Sequence, residues 1–274
     1  MKTLNLINGA QSNIGYHITT FPDGEQHIVL HDIDRKEMIK VICRIANAED
    51  LFILAQVGDI LNRQGVEFSI LITYLMGARM DRVIDYDQSF SLKVVTDIIN
   101  SMNPVEVELV EPHSLRAVKL LKNCRYSLIN ILSIKSDVIC LPDAGAFERY
   151  RPQLEQLPKE HWPVILLCEK ERDPETGKLT GFKVLNPDVY KEGTITVIDD
   201  LCDGGGTFAG IAQEIRKFAP EAKLNIYVTH MVNPKGTKTL SENYDEVNFT
   251  DSYKNWDTEK LPENVKLIQT WTQN

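Results

Sequence analysis

No stretch of this sequence stays apolar long enough to span a bilayer, and Met1-Lys2-Thr3-Leu4-Asn5 is not followed by a secretory apolar core. No membrane partner is expected. Cysteine is sparse, with five residues in 274, and none are paired at metal-type spacing. A disulfide-stapled scaffold is excluded, and reduced thiols in a cytoplasmic protein are the expectation. Low-complexity tracts and solenoid-length repeats are absent as well. Positive charge is in deficit: 30 Lys and Arg face 39 Asp and Glu, for a net charge of −9. That balance argues against nucleic acid as a partner. An acidic chain that binds phosphates must gather cations locally, through Lys, Arg or Mg²⁺. The Gly-Lys-Ser/Thr of a P-loop is also missing.

What is present is globular: 43% hydrophobic, 25% charged, and long enough to bury two α/β units of ordinary size. Hydrophobic patterning predicts strands near 3–8, 15–21, 26–30, 38–45, 67–74, 105–111 and 126–132, with helices at 49–64, 89–102 and 114–122. A second series runs through a strand at 138–141, a helix at 145–157, strands at 163–168 and 194–200, a helix at 206–218 and a strand at 223–229. This alternation predicts an α/β fold of mainly parallel sheets flanked by helices. The boundary is placed near residue 135, within Ser133–Asp137, giving domains 1–135 and 136–274.

The segment 194–208 says most about function. Ile195, Val197 and Ile198 form a β-branched run that ends in Asp199-Asp200; Asp203, Gly204, Gly205, Gly206 and Thr207 then lead into a helical pattern. Adjacent carboxylates make a poor core, because ionised acids are rarely buried unpaired. As acceptor-only groups they suit the vicinal hydroxyls of a ribose. Three glycines let backbone N–H groups turn toward an anion, and the helix beyond adds its positive end. A dinucleotide fingerprint also fits Gly204-x-Gly206-x-x-Ala209, but it wants its acid about 20 residues later. Here the acids come first. The pattern points to a ribose-phosphate site.

Six segments together carry a resemblance. Phe21-Pro22-Asp23-Gly24-Glu25, Tyr74–Arg82 (which contains Ala78-Arg79-Met80-Asp81-Arg82), Val110-Glu111-Pro112-His113, Leu141-Pro142-Asp143-Ala144-Gly145, Cys168–Arg172 and residues 199–207 occur in the order of the motifs of ribose-phosphate pyrophosphokinases. Over nearly its whole length the chain resembles that family. The resemblance implies two tandem phosphoribosyltransferase-like domains, the first on the ATP side and the second on the ribose-phosphate side. It also implies transfer of the β,γ-diphosphoryl group of ATP to the anomeric hydroxyl of a ribose phosphate, with AMP released.

By that resemblance Lys170 and Arg172 clamp the transferred diphosphate, and Asp173–Gly177 form a flap over it. Asp199 and Asp200 hold the ribose hydroxyls, Asp203 through Thr207 hold the group at carbon 5, and Asp143 sits by the ribose and a metal. Arg79 and Asp81 handle ATP. His113 is carried over as a ligand of ATP-bound Mg²⁺, although Mg²⁺ prefers oxygen. Phe21, Asp23 and Glu25 resemble an adenine-contacting loop supplied by a neighbouring subunit, which implies a homo-oligomer, from dimer to hexamer, with a shared ATP site. Without the resemblance these residues read more plainly: a charged turn at 169–172, a turn-forming Asp143, a structural His113, a surface ion pair at 79–82, and a tight turn at 22–24. The sequence offers no general base.

Three departures matter. Gly204 stands where the family has threonine, which removes a hydroxyl donor and opens space; the acceptor is thus either ribose 5-phosphate or ADP-ribose. Val83–Gln88 replaces a basic stretch, so that regulatory phosphate site is expected to be missing. Met80 replaces Gln, and Glu111-Pro112 replaces Asp-Leu. A non-catalytic regulatory subunit and a phosphoribosyltransferase rank below the enzyme: the first would lose Lys170, Arg172, His113 or Asp143, and the second leaves Phe21–Glu25 and Arg79–Arg82 unexplained.

Overall fold

The computed structural model describes residues 1–172 and 179–271. The chain divides into two compact units. The first takes Met1–Leu128 with Ser252–Asn255 and residues 269–271; the second takes Ile129–Asp251 with Trp256–Ile268.

The first unit is built on β1 (Lys2–Asn5), β2 (Tyr16–Thr20), β3 (Gln26–Leu30), β4 (Ile39–Ile45), α1 (Ala48–Arg63), β5 (Phe68–Leu75), α2 (Ser91–Ser101), β6 (Glu106–Val110), α3 (Arg116–Leu120) and β7 (Cys124–Ser127). Strands β1, β4, β5, β6 and β7 lie in that order in one wholly parallel sheet. Nearly every residue of β5 is buried, as a central strand covered on both faces requires. Helix α1 starts on a reciprocal capping box between Asn47 and Asp50.

One expectation is refined here and one is corrected. The segments 15–21 and 26–30 are strands, but they form a separate antiparallel hairpin, β2–β3. Five linking residues are too few for a parallel crossover. The Gln56 side chain fixes the hairpin to α1, accepting from the Ile28 amide at 3.1 Å and donating to the Gln26 carbonyl at 2.9 Å. The predicted strand at 126–132 instead divides into β7 and a 3₁₀ turn, Ile131–Ser133, because the Asn130 side chain accepts from the Leu132 amide and caps that turn.

The second unit contains β8 (Val138–Leu141), α4 (Ala144–Leu154), β9 (Val164–Arg172), β10 (Leu179–Val184), β11 (Thr194–Cys202), α5 (Gly206–Phe218), β12 (Lys223–Met231), α6 (Pro234–Ser241), β13 (Glu246–Thr250) and β14 (Val265–Ile268). Its seven strands run in the order β10-β9-β8-β11-β12-β13-β14, all parallel except the antiparallel β9–β10 pair. Hydrophobic patterning did not predict β10, α6, β13 or β14. From β8 the chain moves to β9 and β10 on one side, then returns to place β11 on the other side of β8. The β8/β11 seam is where strand order reverses, and such a seam opens a crevice beyond the carboxyl ends of its two strands. No helix among the described residues is long and apolar enough to cross a membrane.

Candidate functional site

The second unit gathers its chemistry at that seam. Pairing between β8 and β11 stops at Val197 opposite Cys140, while β11 continues to Cys202, so Asp199 and Asp200 stand past the last paired residue of β8. Neither carboxylate is bare. Arg149, on α4, reaches both: its Nη1 donates to Asp199 Oδ1 at 3.5 Å and more closely to Asp200 Oδ1. The three side chains are 11% (Arg149), 19% (Asp199) and 3% (Asp200) exposed, so this is a buried ion triad whose more open member is Asp199. Burial first, and then the neighbouring Asp200 charge, push the Asp199 carboxyl well above the usual range, with Arg149 opposing. The same two acids raise the Arg149 guanidinium against the cost of its burial.

Asp143 follows β8 on the other side of the seam. It caps α4 through a 3.0 Å bond from the Ala146 amide to Oδ1, while Oδ2 accepts from Lys170 Nζ at 2.9 Å. Burial works to raise its pKa, but the Lys170 bond and the Ala146 amide outweigh it and hold the carboxyl below the ordinary value. Lys170 comes from β9, next to β8 in the sheet, so the expected clamp residue and the expected ribose acid are in direct contact. Arg172 ends β9. The flap Asp173–Gly177 lies outside the described residues.

The loop after β11 is packed against the start of α6. Asn233 caps α6 by accepting from the Lys235 amide at 3.0 Å and also donates to Asp203 Oδ1 at 3.0 Å. At Gly236 a Cβ would come 2.3 Å from the Asp203 carbonyl oxygen, which only glycine avoids. Gly205 caps α5 with φ +81°, and a Cβ there would meet Thr239 Cβ at 2.9 Å. Gly204 and Gly206 differ: a Cβ on Gly204 finds only Lys235 Cδ at 4.0 Å, and one on Gly206 finds nothing within 4 Å. Thr207, half-buried, sits in the first turn of α5. One glycine shapes the loop; two leave room. The buried Cys202 thiol is pushed up to about 12, first by burial and then by Asp203 and Asp199, so it stays protonated and inert.

In the first unit, Arg79–Arg82 follows β5 and His113 follows β6, adjacent parallel strands. Asp81 joins them. Its Oδ2 accepts from Ser114 Oγ at 2.7 Å, and the carboxylate meets Arg82 Nε at 3.4 Å and Arg116 Nε at 3.8 Å. Arg79 and His113 are both exposed. The buried Glu111, with φ +45°, turns the chain from β6 toward His113. Phe21, Asp23 and Glu25 occupy the tip of the β2–β3 hairpin, in a tight turn closed by Phe21 N to Glu25 O at 2.8 Å and Gly24 N to Phe21 O at 2.9 Å. Phe21 is 46% exposed there.

No family model matches the chain. Curated relatives do. A ribose-phosphate pyrophosphokinase of Pyrococcus furiosus is 26% identical over 248 residues, 86% of this chain and 85% of that one. One from Thermococcus kodakarensis is 23% identical over 261 residues, covering 90% and 89%. The chain is similar to ribose-phosphate pyrophosphokinases over most of its length. Among solved structures, the phosphoribosylpyrophosphate synthetase of Mycobacterium smegmatis matches with a TM-score of 0.75 at 17% identity, over 93% of this chain and 86% of that one, and shares its fold.

Sequence reasoning missed Arg149, Asn233 and Ser114. Arg149 sits on a helix whose other charged residues pair on its surface, such as Arg151 with Glu148 and Glu155, so nothing in the pattern separates it. The doubled acid was read as unsuited to a core, yet Asp200 is buried, because Arg149 supplies the cation that a buried acid needs.

Proposed function

We propose that this chain transfers the β,γ-diphosphoryl group of ATP to the anomeric hydroxyl of ribose 5-phosphate, giving phosphoribosyl pyrophosphate and AMP. One observation carries this: acids, glycine loop and lysine converge on the strand-reversal seam of the second unit, where an α/β sheet binds ligands. The name borne by the curated relatives supports it.

The residues have separable tasks. Loop amides at 204–207 and the positive end of α5 receive the 5-phosphate. Asp199, the more open acid, accepts from the ribose hydroxyls. Asp200 stays tied to Arg149 and holds Asp199 in place from behind. Phosphoryl-group transfer needs in-line positioning and charge neutralisation more than covalent help. Lys170 supplies the latter, exchanging its Asp143 contact for diphosphate oxygens, with Arg172 beside it in sequence. Arg79, Asp81 and His113 handle ATP. Phe21, Asp23 and Glu25 complete the ATP pocket of a neighbouring copy, so a homo-oligomer is part of this account. Exposed apolar groups at Phe21, Val83, Ile84 and Tyr86 give such a copy something to cover.

Mg²⁺ is the implied cofactor. Among the described residues no group of three His, Cys, Asp or Glu could hold a metal. That fits an ion carried on ATP phosphates, which asks the protein for only one or two oxygens. Asp143 offers these; His113 offers a softer nitrogen. Bound there, the ion would neutralise phosphate charge.

ADP-ribose is the second acceptor, favoured by one observation: the backbone at Gly204 does not demand glycine, and its missing side chain leaves space beside the loop. The test gives ATP and Mg²⁺ to the protein with ribose 5-phosphate or ADP-ribose and measures AMP. Release that depends on one acceptor identifies it. No AMP with either returns the chain to a regulatory binding role.

A further inference from the structure

A cavity of about 540 Å³ lies within the first unit at the carboxyl ends of β1 and β4. None of the residues assigned above to either substrate lines it. Its walls come from the turn after β1, the β4–α1 junction, the β2–β3 hairpin and the Ser252–Asn255 segment that returns to this unit from far along the chain. That return brings a second cation, Lys254, to the cavity already lined by Arg44.

The frame holding these cations is built. Arg44 Nη1 donates to Asn255 Oδ1 at 2.6 Å, and Asn255 Nδ2 donates to the Asn8 carbonyl at 2.7 Å. The single acid in the described lining, Asp50, is committed elsewhere: its Oδ2 accepts from the Ala46 and Asn47 amides at 2.8 and 3.2 Å. Burial pulls the Lys254 ammonium below the usual lysine range, so an anion beside it would be favoured. Ile18 and Ile53 provide apolar wall.

We propose that this cavity binds a phosphate ester of mononucleotide size, its phosphate met by Arg44 and Lys254 and its organic part lying against Ile18 and Ile53. The volume falls within the range of small-molecule sites, and an arginine fork with a lysine point charge suits a phosphate dianion.

Photolabelling of the full-length protein with 8-azidoadenosine 5′-monophosphate tests this, with adducts mapped by peptide mass spectrometry. The expected adducts fall in residues 6–8, 44–53 or 253–255. Arg44→Gln and Lys254→Met should each raise the half-saturating concentration about tenfold, the effect of removing one charge-assisted hydrogen bond to the phosphate. Arg44→Lys should retain most of the labelling, and 8-azidoadenosine without phosphate should label far less. Arg44→Gln also removes the link to Asn255; Lys254→Met leaves it, so a folding defect in the first does not protect the proposal. Adducts confined to other segments, or unchanged half-saturation in Lys254→Met, overturn it.

Discussion

Replacing Arg149 with methionine is the sharpest structural perturbation available. The substitution keeps helix propensity and much of the side-chain length but strands two adjacent carboxylates, one of them 3% exposed. At 3.5 Å and an effective dielectric of 20, the Arg149–Asp199 attraction alone is about 5 kcal/mol before desolvation is deducted. Removing one partner from a buried pair typically costs about 3–5 kcal/mol, because the remaining charge is left uncompensated. Arg149→Met should therefore destabilise the second unit by about 3 kcal/mol near pH 8. Urea unfolding would show this, with Trp162 and Trp256 fluorescence reporting the second unit once Trp271, in the first, is replaced by Phe. The deficit has a sign in pH. An acid whose folded pKa lies above its unfolded value binds more protons when folded, so stability falls as pH rises between the two. Asp199 is such an acid already, and losing Arg149 raises it further. The deficit should shrink as pH drops from 8 toward 5, and adding Asp200→Asn should recover at least about 1 kcal/mol. A loss under about 0.5 kcal/mol, or one insensitive to pH and to Asp200→Asn, would refute the buried-triad account.

Lys170→Met should lower turnover by roughly two to three orders of magnitude, while its half-exposed contact with Asp143 limits the stability change to about 1 kcal/mol or less. Asp143, held low by Lys170, contributes stability that is present above its unfolded pKa and lost as pH falls through its folded one; in Lys170→Met that acid limb, below about pH 4, should flatten. Gly204→Thr should fold normally and shift acceptor preference toward ribose 5-phosphate, whereas Gly205→Ala should cost about 1–3 kcal/mol in a thermal melt. An unchanged acceptor ratio would remove the case for a widened pocket. Ser114→Ala, which unties Asp81, should raise the KM for ATP several-fold without moving that for the acceptor.

Much of the fold was legible because β-branched runs and amphipathic helices alternate strongly through residue 231. Helix α5 matches its predicted range of 206–218. The strands of the hairpin were legible but their pairing was not, because Tyr16–Thr20 and Gln26–Leu30 carry the same strand signal whether they join a parallel sheet or pair with each other. Strands β13 and β14 are short, and α6 is one polar helix of eight residues, so their periodicity is weak. At the candidate site, the doubled acid and triple glycine at a strand end pointed to anion and sugar chemistry. The partners were not legible. Arg149 to Asp200, Lys170 to Asp143, Asn233 to Asp203 and Ser114 to Asp81 are all tertiary contacts between residues 27 to 51 positions apart.

Phosphorus NMR of the protein turning over ATP with ribose 5-phosphate or ADP-ribose tests the central claim most directly. The account predicts AMP together with a diphosphate newly attached through the anomeric oxygen of one acceptor. ADP with a single transferred phosphoryl group, or ATP left intact with both acceptors, would contradict it.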